Sequence, residues 1–178
     1  YDYIVRMKAN VIAQTEGYEN IEAALAKDQN GNDTTVNIAN IESKDKYDVA
    51  TNVLIGSEPG SPRDGELTAK DLRLKLTAYR DNLLAMVKPG SSLEHSLTAT
   101  FNFENQKDAS GTDNTWEAYN FYHIPIAAVL TIMSKMQGDI RNAESDVIKQ
   151  LYANVDAGSI KFNKIDAAII PVSNYVIQ

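Results

Sequence analysis

Near the end of the chain Ile126, Val129, Met133, Met136, Ile140, Ala143 and Val147 recur at alternating steps of three and four. That spacing tracks the helical period and puts all of them on one stripe. An apolar stripe of this length must be covered, so the pattern calls for partner helices packed along it. The helix is predicted to start at a Thr115 side-chain cap, to bend or restart at Pro125, and to continue to about Asn154.

Two other segments carry the same rhythm. Ile4, Met7, Val11, Gln14, Tyr18, Ile21 and Leu25 form a seam broken only by Gln14, predicting a first helix that ends near Asp28, with a loop over 28–33. Thr68, three residues before Asp71, caps a helix whose seam is Leu72, Leu76, Tyr79, Leu83 and Met86, stopped at Pro89 and Gly90. Between them, 34–54 reads as one broken helix or two short ones, and the run GSEPGSPRDG over 56–65 as a surface loop. Alternation of Leu97, Ala99, Phe101 and Phe103 with polar residues suggests a short β-hairpin arm near 97–103, followed by an exposed turn-rich string. The predicted fold is therefore mainly α. It is a helix bundle over 1–162 with long loops and an extended C-terminal exit over 163–178, where Pro171 sits among β-branched and aromatic residues.

Composition narrows the function classes. With 24 acidic against 17 basic residues, the net charge of -7 opposes binding to nucleic acid and to anionic membrane surfaces. Cysteine is absent, which removes thiolate catalysis, zinc–cysteine sites and disulfides together. The longest apolar stretch, Ile124 to Met133, is far short of the roughly 20 residues of a membrane span. The chain opens on Tyr1 with neither an initiator methionine nor a signal-peptide core, and so reads as a processed or excised piece.

No motif nominates a reaction. His95 and His123 lie in different segments, with no G-x-S-x-G elbow to supply a serine and no H-x-x-x-H spacing to hold a metal. Asp28, Asn30, Asn32 and Asp33 open like a calcium loop, but the glycine is at 31 rather than at the sixth position, and Ala39 occupies the twelfth. Asp139, Glu144 and Asp146 share their helix with Arg141 and Lys149, as a solvated face does. Phosphate-cradling glycine motifs are missing, so no cofactor is expected.

The densest unusual feature is TWEAYNFYHIP over 115–125, which gathers Trp116, Tyr119, Phe121, Tyr122 and His123 ahead of Pro125. Such rings either fill one end of the core or face outward as interface anchors, and periodicity does not divide them.

Particular strings carry a family resemblance. WE at 116–117, FYHIP at 121–125, DIRNAESDV at 139–147 and KFNKIDA leading to IPVSNYV over 161–176 resemble the corresponding region of the GldM/PorM proteins. LTAYRDNLLAMV at 76–87 and TFNFEN at 100–105 are similar too, while 1–65 match more weakly. The resemblance implies the first, membrane-proximal periplasmic domain of a protein held in the inner membrane by an N-terminal helix outside this sequence. Residues 163–178 would lead into a β-rich domain. It also implies a homodimer, a GldL/PorL-type proton-driven partner in the inner membrane, and a lipoprotein ring at the outer membrane reached through later domains. No catalytic, cofactor or metal residue is carried over, and neither nucleic acid nor a small-molecule substrate is expected.

The expected function is thus structural: force transmission within the type IX secretion and gliding motor. A shaft loaded in series would have Tyr1 and Gln178 emerge at opposite ends. The rival readings are a periplasmic ligand-binding or sensory bundle with a site lined by Trp116 to His123, and a hydrolase using His95 or His123.

Overall fold

The computed structural model describes residues 1–27, 33–36, 38, 41–107 and 110–162. Its centre is α1 (Asp2–Glu16), whose Ile4, Met7, Val11 and Ile12 are all buried, as are Ala9 and Ala13 on its other faces. Asp2, Arg6 and Gln14 stay exposed along one face, so α1 is amphipathic with a broad buried side.

The first helix is shorter than its seam predicts. Gly17 adopts a left-handed conformation (φ 72°) and terminates α1, and Tyr18 then returns its N–H to the Ala13 carbonyl. Asn20 caps a short 3-10 turn (Ile21–Ala24) by accepting from the Ala23 N–H, and the chain enters β1 (Leu25–Lys27), paired antiparallel with β2 (Asp33–Val36). Tyr18, Ile21 and Leu25 still pack against the core, but from a turn and a strand rather than from one helix. Most of the predicted 28–33 loop lies outside the described residues. A Cβ on Gly17 would meet nothing within 4 Å, so Gly17→Ala isolates the backbone term. We expect it to cost about 1 kcal/mol, read as a lower urea midpoint with unchanged slope; no loss would show that this turn tolerates an ordinary residue.

Among the described residues of the 34–54 region, α2 (Asp48–Leu54) is the helical part. The earlier part is β2 and an irregular stretch that has another task. The Lys46 and Lys44 carbonyls accept from the Ile126 and Ala127 N–H groups (3.0 and 3.2 Å), satisfying donors that the start of the last helix would otherwise leave orphaned.

α3 (Ala69–Leu84) starts where predicted, with the Thr68 hydroxyl accepting from the Asp71 N–H at 3.3 Å. The proposed hairpin at 97–103 is replaced by α4 (Ser92–Thr100). Ser91 caps it by accepting from the Glu94 N–H, and Leu93, Leu97 and Phe101 face inward at steps of four. Phe103 is also buried, but from extended chain beyond the helix end. The apparent period of two is therefore a helical repeat followed by one extended step. The hairpin in this part of the chain is β3 (Gln106–Lys107) with β4 (Asp113–Asn114), inside the string read as loop.

α5 (Trp116–Phe121) and α6 (Ile126–Phe162) flank Pro125 as predicted, and Thr115 caps α5 by accepting from the Ala118 N–H. α6 is helical through Phe162, past the expected end at Asn154. The extended exit at 163–178 lies outside the described residues.

α1 and α6 are antiparallel. The Arg141 guanidinium lies 4.3 Å from the centre of the Tyr1 ring, whereas Lys8 Nζ donates to Ser134 Oγ and Gln137 Oε1. From Arg141 to Phe162 the helix therefore continues about 30 Å past Tyr1, on the side from which α1 enters. Tyr1 and the end of α6 thus lie toward the same side of the bundle, whereas Gln178, the other end of the expected series layout, lies outside the described residues.

Candidate functional site

The 115–125 cluster divides by helix geometry. Trp116 and Phe121 point into the core and close a string of rings: Tyr79 to Phe101 (5.7 Å between centroids), Phe101 to Phe103 (6.4 Å), Phe103 to Trp116 (5.4 Å) and Trp116 to Phe121 (5.9 Å). Three of these pairs are edge-to-face, the arrangement ring quadrupoles favour. Tyr119 and Tyr122 face outward, 56 and 43 % exposed. His123 is exposed as well, in a left-handed conformation (φ 51°) held by its N–H donating to Thr51 Oγ1 at 2.9 Å. Pro125 is half-buried at the start of α6. Tyr47, far from this cluster in sequence, lies against His123 with the rings tilted and their centroids 4.9 Å apart, and is exposed beside it.

An ion pair braces the buried half. Glu117 is buried, and both its carboxylate oxygens accept from Arg73 Nη1 at 3.3 Å, while Arg73 Nη2 donates to the Phe103 carbonyl. Arg80 Nη1 donates to the Phe101 carbonyl at 3.2 Å. The two arginines of α3 thus hold the non-helical chain after α4 against the ring string. Tyr3 ties α1 to the start of α3: its hydroxyl accepts from the Leu67 N–H and donates to the Asp71 carboxylate. Burial first, then the hydrogen bond to Asp71, push this phenol well above the usual tyrosine range. Burial, with Glu144 nearby, does the same to Tyr79, whose hydroxyl donates to the Ile140 carbonyl. Both act as neutral donors between helices.

The recesses do not assemble the chemistry of the two rival readings among the described residues. One, of about 780 Å³, lies between α3 and α4 and includes His95, whose Nδ1 sits 2.8 Å from the Ser91 carbonyl. Arg73 and Arg80 also line it, but their guanidinium groups are engaged as above. Among the described residues neither imidazole reaches a serine or threonine hydroxyl or a carboxylate. No group of three or more metal-binding side chains occurs among them. Beside Trp116 the free space is about 230 Å³, below the roughly 300 Å³ where small-molecule pockets begin, and Tyr119, Tyr122 and His123 do not line it.

A second exposed apolar feature lies at the end of α6. Burial along its seam stops at Val147, and beyond it Ile148, Leu151, Tyr152 (70 % exposed) and Val155 (67 %) continue at helical spacing with nothing over them among the described residues. No described helix is long and apolar enough to cross a membrane.

Comparison with known families gives a match to the GldM N-terminal domain over residues 1–154. No curated protein matches the chain.

Proposed function

The chain belongs to the GldM N-terminal domain family, and from that premise we propose that it is a structural, force-transmitting periplasmic domain of the gliding and type IX secretion motor, not an enzyme. The family ties the chain to gliding and type IX secretion, in the periplasm. In the full protein an N-terminal helix tethers the domain to the inner membrane, a GldL/PorL-type subunit drives it, and later domains reach the lipoprotein ring. Within it, α6 is the transmitting element.

The observation carrying this reading is the length and placement of α6. Its 37 residues span about 55 Å, braced by the bundle through Val147 and then uncovered among the described residues. Because α1 runs antiparallel to it, load entering α1 at Tyr1 and leaving α6 at Phe162 passes directly across the α1–α6 contact, and the remaining helices stiffen that contact. A bundle used in this way needs no pocket, and it needs the helix to stay rigid where it leaves the body.

The exposed stripe from Ile148 to Val155 is where a second copy of the chain would pack in the homodimer, since identical stripes meeting about a two-fold axis cover each other. Since the sequence has no cysteine, Tyr152→Cys introduces the only thiol of this segment. In the full-length protein in cells it should give a disulfide-linked dimer, whereas Leu74→Cys, equally exposed on α3, should not; the reverse pattern would remove the stripe from the interface. The force-bearing role is tested by inserting a short Gly-Ser break between Val147 and Ile148 of the full-length protein. Gliding and secretion should be lost while protein level and dimer persist. Gliding at the normal rate with the break in place would overturn rigid transmission.

A further inference from the structure

Lys8 is the anomaly of the core: its side chain is 5 % exposed on the central helix, between Ile4 and Ile12, yet it forms no ion pair among the described residues. Its ammonium donates to two neutral oxygens, Ser134 Oγ at 2.7 Å and Gln137 Oε1 at 2.5 Å, leaving one donor unused among the described residues. Next to it, buried Gln137 Nε2 has no hydrogen-bond partner among the described residues. Burial also holds the Lys8 ammonium below the usual lysine range. A buried cation without a counter-charge is costly unless something neutralises it.

Lys8 opens onto a groove of about 540 Å³ between the β2 region and the first turns of α6, within the range of small-molecule sites. Its apolar walls are Val36, Ile38, Ile41, Ile126 and Leu130, and among the described residues the charged ones lining it are Lys8 and Lys44, with no carboxylate. In a chain of net charge -7 this is a local excess of positive charge. The two α6 hydroxyls are already spent as donors, Thr131 to the Ala127 carbonyl and Ser134 to the Leu130 carbonyl. Among the described residues the charged donors left to meet an anion here are the two ammonium groups, with the Thr35 hydroxyl and Gln137 Nε2 as neutral donors beside them.

We propose that this groove binds a single-chain amphiphile with one carboxylate head, the carboxylate paired with Lys8 and the chain laid along the apolar walls. One negative charge matches the one buried ammonium; a second would have only the solvent-screened Lys44 to face it. A peptide would fit less well, because its amide groups would lie against Ile41, Ile126 and Leu130 without partners.

The test titrates the 178-residue chain with decanoate, decanol, acetate and N-acetyl-leucyl-leucine by calorimetry, with amide chemical shifts as a second readout. Decanoate should bind and shift α1 and the start of α6, with decanol and acetate each weaker by about tenfold or more. Lys8→Met, which keeps the length of the side chain, should weaken decanoate about tenfold and leave decanol unchanged. Lys44→Met, at an exposed position that cannot unfold the core, should weaken decanoate by about twofold. Absence of decanoate binding, equal binding of decanoate and decanol, or tighter binding of the peptide would each overturn the proposal. If Lys8→Met fails to fold, shifts confined to residues outside the groove in the unsubstituted chain would do so equally.

Discussion

Phe121→Ala will lower the stability of this domain by about 3–5 kcal/mol, whereas Tyr122→Ala, one residue away, will change it by no more than about 0.5 kcal/mol. Phe121 is fully buried and packs edge-on to Trp116 at 5.9 Å, so removing the ring leaves a void at the end of the string that reaches Tyr79. Backbone relaxation there is limited. α5 is tied at its start by the Thr115 hydroxyl, which also donates to the Pro59 carbonyl, and the chain just beyond it by the His123 N–H bond to Thr51. In thermal unfolding the loss corresponds to roughly 10 °C for a domain of this size. Equal effects at the two positions would mean that α5 is rotated from the orientation described, with Tyr122 rather than Phe121 in the core.

The second large effect is expected at Arg73. Its guanidinium faces a carboxylate that is almost wholly buried, and it also satisfies the Phe103 carbonyl. Arg73→Ala would strand Glu117 as a buried charge without a counter-charge, a change that costs about 3–5 kcal/mol when both partners are fully enclosed. Arg73 is about one-third exposed, so water can reach the gap and the expected loss is nearer about 3 kcal/mol. The double variant Arg73→Met with Glu117→Leu should recover most of it, because both polar partners are then replaced by apolar groups of similar size. Urea unfolding of the two single variants and the double variant measures the coupling. If the single Arg73 change costs less than about 1 kcal/mol, the pair contributes no more than an exposed surface bridge. Because α6 begins directly after this region, loosening it should also reduce gliding in the full-length protein without touching the exposed stripe.

Legibility in the sequence tracks how far apart the deciding residues lie. The α6 seam, the Thr68 and Thr115 caps and the restart at Pro125 are local matters of spacing and side-chain oxygen. They appear where the periodicity places them. The early end of α1 is also written locally, in Gly17 and Asn20, but a seven-position seam outweighs two punctuation residues when spacing alone is weighed. At 97–103 the residues Leu97, Ala99, Phe101 and Phe103 satisfy a period of two as well as a helix and one extended step beyond it. The capping serine at 91 and Glu94 decide for the helix.

The candidate site shows the same division. That TWEAYNFYHIP matters is legible from its composition, yet which ring is core and which is surface depends on the rotation of α5 against α3 and α6, a quantity with no local signature. Nor does the sequence mark Lys8 as buried, since a lysine at i±4 from Ile4 and Ile12 more often snorkels to water than remains enclosed. The sequence by itself determined a helical, cysteine-free chain with one dominant seam and the strings of the GldM N-terminal family. Only the tertiary structure decided that α1 runs antiparallel to α6, so that the last helix passes back beside Tyr1 and leaves the bundle at Val147. The reason is that a heptad stripe specifies that a helix must be covered, while the direction of the covering helix is set by which distant side chains meet along it, here Tyr1 with Arg141 and Lys8 with Ser134 and Gln137.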